Sequence, residues 1–261
     1  MRGMHNEIKE PKILSFLSGN GGSGQSTFLV NFASYLSQFK NKKILIYDAN
    51  GVTGTTAVLL NRFPPHSLQS LLHNNISISN DTLDQYLTHY NSHIYLLPQK
   101  LVTDHTDDVS QHSALFYLHE IKRFFDYILI DLPKGPNHTV FSFLEVSNHC
   151  YILFNPTIHS IRNTALLNEI IESLLLSHCS FHYVLNAITP TSDVTSGDIE
   201  KHLKLPIHAS FPYSEDIMHS TNYGTVFLEM KKSKSNKSFL QELSKLITTS
   251  LAKERAHETH Q

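Results

Sequence analysis

The sequence predicts an α/β fold, doubly wound around a mostly parallel sheet, and three observations carry that prediction. The strand-like segments are continuously apolar rather than alternating, as in a sheet covered on both faces. Segments with helical periodicity lie between most of them. The first strand-like segment runs into a glycine-rich turn that opens a helix, "SGNGGSGQSTF" from Ser18 to Phe28.

Taken in order, Lys12 to Ser18 (KILSFLS) reads as a buried strand ending at that turn. Ser26 to Phe39 places Leu29, Phe32, Ala33 and Leu36 at helical spacing. Strands follow at Lys43 to Asp48, His93 to Pro98, Tyr127 to Pro133, Cys150 to Asn155, Phe181 to Ile188 and Pro206 to Pro212. Helices are expected at Ser67 to His73, Ser113 to Phe125, Ser160 to Ser177 and Gly197 to Leu203. Residues 238–252 form an amphipathic C-terminal helix with Phe239, Leu240, Leu243, Leu246, Ile247 and Leu251 on one face. That face packs on the protein's own sheet or docks on a membrane; its polar side is not strongly basic, which favours the sheet. Residues 231–237 (KKSKSNK) read as a polar linker, and residues 1–11 as a polar tail. No internal repeat is present, and the whole of 1–261 reads as a single domain.

The formal net charge of −2 gives no general attraction to nucleic acid or anionic lipid. Cys150 and Cys179 lie in apolar runs without a CxxC spacing, as buried thiols of a reducing compartment. No segment approaches a membrane span, and the polar N-terminus is not a secretory signal. A cytoplasmic protein is expected, with peripheral docking at the inner membrane or cell pole left open. The sequons at Asn75, Asn80, Asn137 and Asn236 are then chance occurrences. Eighteen histidines raise the question of metal. His89 and His93 could share a helical face, but no third ligand accompanies them and HExxH is absent, so no histidine metal site is expected.

Ligands in open parallel sheets sit at the carboxyl ends of the strands. Those ends deliver Gly19 to Thr27, Asp48 to Asn50, Asp131 with Pro133 and Gly135, Asn186, and Pro212 to Asp216. Gly21, Gly22 and Gly24 let backbone N–H groups of the turn, which includes Ser23, point at an anion, and the helix dipole behind them favours phosphate. Ser26 supplies a hydroxyl where Mg²⁺ is normally held, followed by Thr27, and Asp131 ends an apolar strand as a metal-coordinating carboxylate would. The alternative for Asp131 is a helix cap or a surface acid. Asp48 is a switch residue or one that orders its loop through hydrogen bonds.

These motifs resemble the MinD/ParA family of deviant P-loop ATPases, whose loop reads K-G-G-x-G-K-[ST]-T where this chain reads Asn20-Gly21-Gly22-Ser23-Gly24-Gln25-Ser26-Thr27. "DLPKG" is similar to the family's D-x-P-x-G switch, and "ILFNPTIHSIRNTALL" and "FPYSEDIMHSTNYGTVFLE" to its later segments. "FPPHSLQSLLHN" and "RFFDYILIDLPKGPN" resemble the CpaE/TadZ branch, the localisation proteins of Flp-type (Tad) pilus assembly. The likeness implies a three-layer P-loop NTPase, ATP or ADP bound with Mg²⁺, a face-to-face homodimer and pilus or secretion assembly partners. It also implies that Asn186, which could equally be a turn residue, contacts adenine and that Pro212 and Tyr213 flank the base. Three working positions depart from the family. Its dimer-bridging lysine falls on Asn20, its Walker lysine on Gln25, and the second carboxylate of D-x-D on Asn50. Lys134, inside the switch motif, is either a replacement cation or a solvated lysine.

Phosphoryl transfer rests on positioning and charge stabilisation, where a single preorganised group is worth roughly 3–4 kcal/mol. Two missing cations and one missing acid predict a pseudo-ATPase, in which nucleotide binding survives through the loop and Ser26 and hydrolysis is weak or absent. The expected role is CpaE/TadZ-like pilus assembly or localisation. The alternative is an active MinD/ParA-type spatial regulator of division, flagellar number or partitioning.

Overall fold

Along β1 (Lys12–Leu17), Ile13 and Leu17 enter one hydrophobic core while Leu14 and Phe16 enter another, and all four are buried. A strand whose two faces are both covered reads as a near-continuous apolar run, and the one buried polar residue here, Ser15, meets the Ser147 hydroxyl at 2.6 Å. The fold is that of a computed structural model, which describes residues 11–74, 76–101, 110–188, 195–230 and 234–252.

After β1 come α1 (Gln25–Lys40), β2 (Ile44–Asp48), α2 (Thr56–Leu59), α3 (Leu68–His73), α4 (Asn80–Tyr86), β3 (Thr88–His89) and β4 (Ile94–Pro98). Then follow α5 (Gln111–Ile121), β5 (Tyr127–Asp131), α6 (His138–Leu144), β6 (His149–Phe154), α7 (Ile158–Ser173) and β7 (Ser180–Ile188). The chain continues with α8 (Ser196–Leu203), β8 (Ala209–Pro212), α9 (Glu215–Asn222) and α10 (Lys234–Ala252). The eight strands form one sheet in the order β3-β4-β2-β5-β1-β6-β7-β8. Every pairing is parallel except β3 with β4.

Helices cover both faces, giving three α/β/α layers. One core joins α3, α5, α6, α7 and α8 to the sheet. The other is built on α1 and α10, with Phe16, Phe28, Phe32, Tyr151, Phe211 and Phe239 at its centre. Their rings meet in tilted, edge-on and stacked pairs, with Phe16 and Phe32 centroids 5.3 Å apart and Phe211 and Phe239 4.8 Å apart. Each such buried side chain contributes about 1.5–3 kcal/mol of transfer free energy. α1 packs on the sheet with α10 beside it, and it buries Val30, Ser34 and Tyr35 beyond the stripe of Leu29, Phe32, Ala33 and Leu36.

The apolar face of α10 is consumed in the same way. Phe239, Leu243, Leu246 and Ile247 are buried in this core, and Ser244 and Ser250 meet the hydroxyls of Tyr35 and Tyr151, each at 2.8 Å. The face therefore belongs to the sheet, and no helix among the described residues is long and apolar enough to cross a membrane. The helix begins at Lys234, inside the stretch expected to be linker. The reason is local: Asn236 is buried and its amide donates to the Phe227 carbonyl at 3.0 Å, which anchors the first turn. Residues 231–233 and 1–10 lie outside the described residues.

His89 and His93 do not share a helical face. His89 is on the edge strand β3, paired with Asp84 at 3.0 Å, and His93 lies in the turn before β4. Among the described residues no three His, Cys, Asp or Glu side chains converge to hold a metal. Cys150 and Cys179 are both buried free thiols, and burial pushes Cys179 up to about 12. Of the sequons, Asn137 caps α6 by accepting from the Val140 N–H at 3.0 Å, Asn80 opens α4, and Asn75 lies outside the described residues.

Candidate functional site

The loop from Ser18 to Gly24 leaves the central strand and enters α1, with β5 on one side of β1 and β6 on the other. Gly22 and Gly24 have φ of +78° and +83°. At Gly24 the glycine is required twice over, because a Cβ there would also lie 2.3 Å from the Asn186 amide nitrogen. Gly24 is the N-cap of α1 and offers no side-chain cap, so the first-turn N–H groups are left for a ligand or solvent.

Behind the loop, three side chains close on one another. Gln25 is buried, and its amide nitrogen donates to Asp131 Oδ1 at 2.8 Å and to the Leu132 carbonyl at 2.7 Å. Ser26 Oγ donates to the other Asp131 oxygen at 2.6 Å. Both carboxylate oxygens are thus engaged, and both amide hydrogens of Gln25 are spent. The Gln25 amide therefore faces the strand end. Its Oε1 has no hydrogen-bond partner, nor has Asn20 Oδ1, although both atoms are buried.

A second carboxylate stands beside the first, because β2 and β5 pair with Asp48 opposite Asp131. Asp48 accepts from the Asn50 N–H and side-chain amide at 3.1 Å each, and from the Thr56 N–H and hydroxyl at 3.1 and 2.6 Å. Of the two roles open to Asp48, ordering its loop is the one the geometry displays. Gly54 packs against this carboxylate so closely that a Cβ would stand 2.5 Å from Oδ2. The Asn50 amide also reaches the Asp131 carbonyl at 3.1 Å, tying the two strand ends together. Burial, and then the charge of Asp48, push the Asp131 carboxyl up to about 7 against the bonds from Ser26 and Gln25.

The remaining expected residues divide. Gly135, with φ +70°, donates its N–H to the Ser18 carbonyl at 2.8 Å and holds the switch segment against the base of the loop. Pro133 and Asn50 line a polar cleft of about 490 Å³ that extends past Gln99, Gln111 and Thr139. Asn20 folds its amide back onto the Gly21 carbonyl at 2.9 Å. Asn186 donates to the Ser23 carbonyl at 2.8 Å, from a position where β7 bulges against β8 and Ala187 takes φ 57°. That contact braces the loop. Pro212 and Tyr213 are exposed at the end of β8, three strands from β1, and take no part in this hydrogen-bonded cluster. Asp131 is fully buried, which removes the surface-acid alternative.

The end of β6 supplies a residue that the sequence reading passed over. The Asn155 side-chain amide donates to the Gly22 carbonyl at 3.0 Å, and its oxygen accepts from Ser160 Oγ at 3.2 Å. A polar residue closing an apolar strand was the available signal. Lys134 is exposed, yet its ammonium lies 3.5 Å from where a Cβ on Gly21 would stand.

Residues 11–178 match the AAA domain family AAA_31. The chain belongs to that family. Its fold is the one found in MinD and ParA-family ATPases. The septum site-determining protein MinD of Thermotoga maritima is 23% identical over 218 residues, 81% of this chain and 79% of that protein. A ParA family ATPase of Chlorobium tepidum shares the fold with a TM-score of 0.79 at 22% identity, over 89% of this chain and 98% of that one. MinD of Pyrococcus horikoshii, solved complexed with Mg-ADP, gives a TM-score of 0.75 at 20% identity, over 90% and 94%. In this MinD/ParA fold the glycine loop, Ser26 and Asp131 stand together around the N-terminus of α1, while residues 20, 25 and 50 carry amides.

Proposed function

We propose that this protein holds a purine nucleotide at the loop without turning it over at the rate of a charged P-loop, and that it serves as a CpaE/TadZ-like scaffold in pilus assembly or localisation. The observation that carries the reading is the Gln25–Asp131–Ser26 cluster. It preserves the architecture behind the phosphate loop while a neutral amide stands where a cation would stabilise phosphate charge. The uncapped N-terminus of α1 presents N–H donors in want of partners, which suits an anionic ligand at this place. Ser26 and Asp131 are the residues that would hold Mg²⁺ with the nucleotide, and the ion would offset phosphate charge that the neutral residues 20 and 25 do not. Asn50 lacks an acid's ability to accept a proton and is already bonded to Asp48 and to the Asp131 carbonyl.

The pilus role rests on the resemblance of the 63–74 and 123–137 segments to the CpaE/TadZ branch, and a face-to-face homodimer on the resemblance to the MinD/ParA family. Calorimetry with ATP and ADP, with and without Mg²⁺, tests the reading at the site. It expects saturable micromolar-to-millimolar binding and no nucleotide-dependent phosphate release. No binding of either nucleotide at millimolar concentration would make the loop a structural relic, and turnover at ordinary ATPase rates would end the pseudo-ATPase reading.

A further inference from the structure

A charged side chain overhangs the glycine turn from the segment after β5. We propose that Lys134 supplies the positive charge toward a bound nucleotide's phosphates that residue 25 does not. The inference rests on the nucleotide reading above.

Three observations place the ammonium there. Lys134 Nζ lies 3.5 Å from the position a Cβ on Gly21 would occupy, at the rim of the glycine turn and not out in bulk solvent. The backbone on its C-terminal side is pinned, because the Gly135 N–H bonds the Ser18 carbonyl at 2.8 Å, so the lysine is carried by the base of the loop it overhangs. Among the described residues no carboxylate lies within salt-bridge distance of Lys134. The same charge reaches inward and holds the Asp131 carboxyl lower than burial alone would leave it.

Gln25 cannot take this role as it stands. Both its amide hydrogens are bonded to Asp131 and Leu132, and an amide carries no charge. Asn20 is likewise neutral, with its amide on the Gly21 carbonyl. A polyphosphate seated in the turn would find one flexible ammonium at close range, and a charge-assisted bond of that kind is roughly twice as strong as a neutral one. A lysine suits the task better than a rigid fork, since it approaches as a mobile point charge.

Lys134 is exposed, so Lys134→Ala leaves the core intact. Calorimetry on wild type, Lys134→Ala and Lys134→Arg should use MgATP, with tripolyphosphate and adenosine as separate probes. The expected result is a loss of tenfold or more for MgATP and tripolyphosphate in Lys134→Ala. Adenosine binding should not change, and Lys134→Arg should stay within about threefold of wild type. In a Gln25→Lys background the loss should shrink, because the missing charge has been restored at its ordinary place. MgATP should also protect Lys134 from acetylation, read by peptide mass spectrometry. Equal MgATP affinity in wild type and Lys134→Ala would overturn the role of Lys134 and leave the nucleotide reading standing. If wild type binds no phosphate-bearing probe at all, both fall together.

Discussion

Replacing Gln25 with alanine tests whether the amide is committed to the strand end. The substitution removes the donor to Asp131 Oδ1 at 2.8 Å and to the Leu132 carbonyl at 2.7 Å, in a place where Gln25 is 6% exposed and Asp131 is 0% exposed. Each buried acceptor left without a donor costs about 1–3 kcal/mol, and the vacated volume adds to that. At pH 8, where Asp131 is ionised and most needs its donors, the sum is about 3–5 kcal/mol. For a chain of this size each kcal/mol moves Tm by about 2–4 °C, so the melting point should fall by roughly 6–20 °C. Calorimetric or circular-dichroism melts without nucleotide measure this directly. Gln25→Lys, which keeps a donor at the same place, should melt at or above the wild-type temperature. A Gln25→Ala melt within 2 °C of wild type would refute the reasoning, since it would mean that Gln25 does not hold Asp131.

Other perturbations probe the rest of the site. Gln25→Lys exchanges a neutral donor for a charged one, a gain of about 1–2 kcal/mol toward phosphate, so calorimetry should show MgATP binding about tenfold tighter. Because the folded Asp131 carboxyl sits at about 7, above its unfolded value, its contribution to stability is greatest at acid pH and is lost as pH rises toward 7. The difference in urea stability between wild type and Asp131→Asn should therefore move by up to about 1.4 kcal/mol per pH unit between pH 5 and 7, against wild type as pH rises, and level off above that. A flat difference would contradict it. Gly24→Ala should destabilise by about 2–3 kcal/mol through its φ of +83° and the clash with Asn186. Adding Asn186→Ala should recover only part of that loss, since it relieves the clash and not the backbone strain.

The parts of this fold that were legible in the sequence are those whose burial is written into the chain. Continuous apolar runs announced β1, β2, β4, β5, β6, β7 and β8, and the strand–glycine–helix order placed the loop. Short polar helices were not announced. α4 buries only Leu83 and α9 only Ser220, so neither has an apolar period to read; the Ser79 and Thr82 capping box at α4 was the available signal. The edge strand β3 is two residues long and is defined by its partner β4, not by its own composition. At the site, the loss of charge at Asn20, Gln25 and Asn50 was plain from residue identity. The direction of the Gln25 amide was not, because it is set by a carboxylate and a carbonyl more than a hundred positions away. Asn155 and Asn186 show the same limit, since both act by bracing loop carbonyls that only the folded sheet brings within reach.

The central claim is that the loop keeps its shape and has lost the charges that split phosphate. Phosphate release from MgATP should be followed side by side in the wild type and in the Asn20→Lys/Gln25→Lys/Asn50→Asp variant. The account predicts background release by wild type under conditions where calorimetry shows the nucleotide bound, and a measurable rise when the three charges are restored. Wild-type turnover equal to that of the restored variant, abolished by Asp131→Ala, would contradict it.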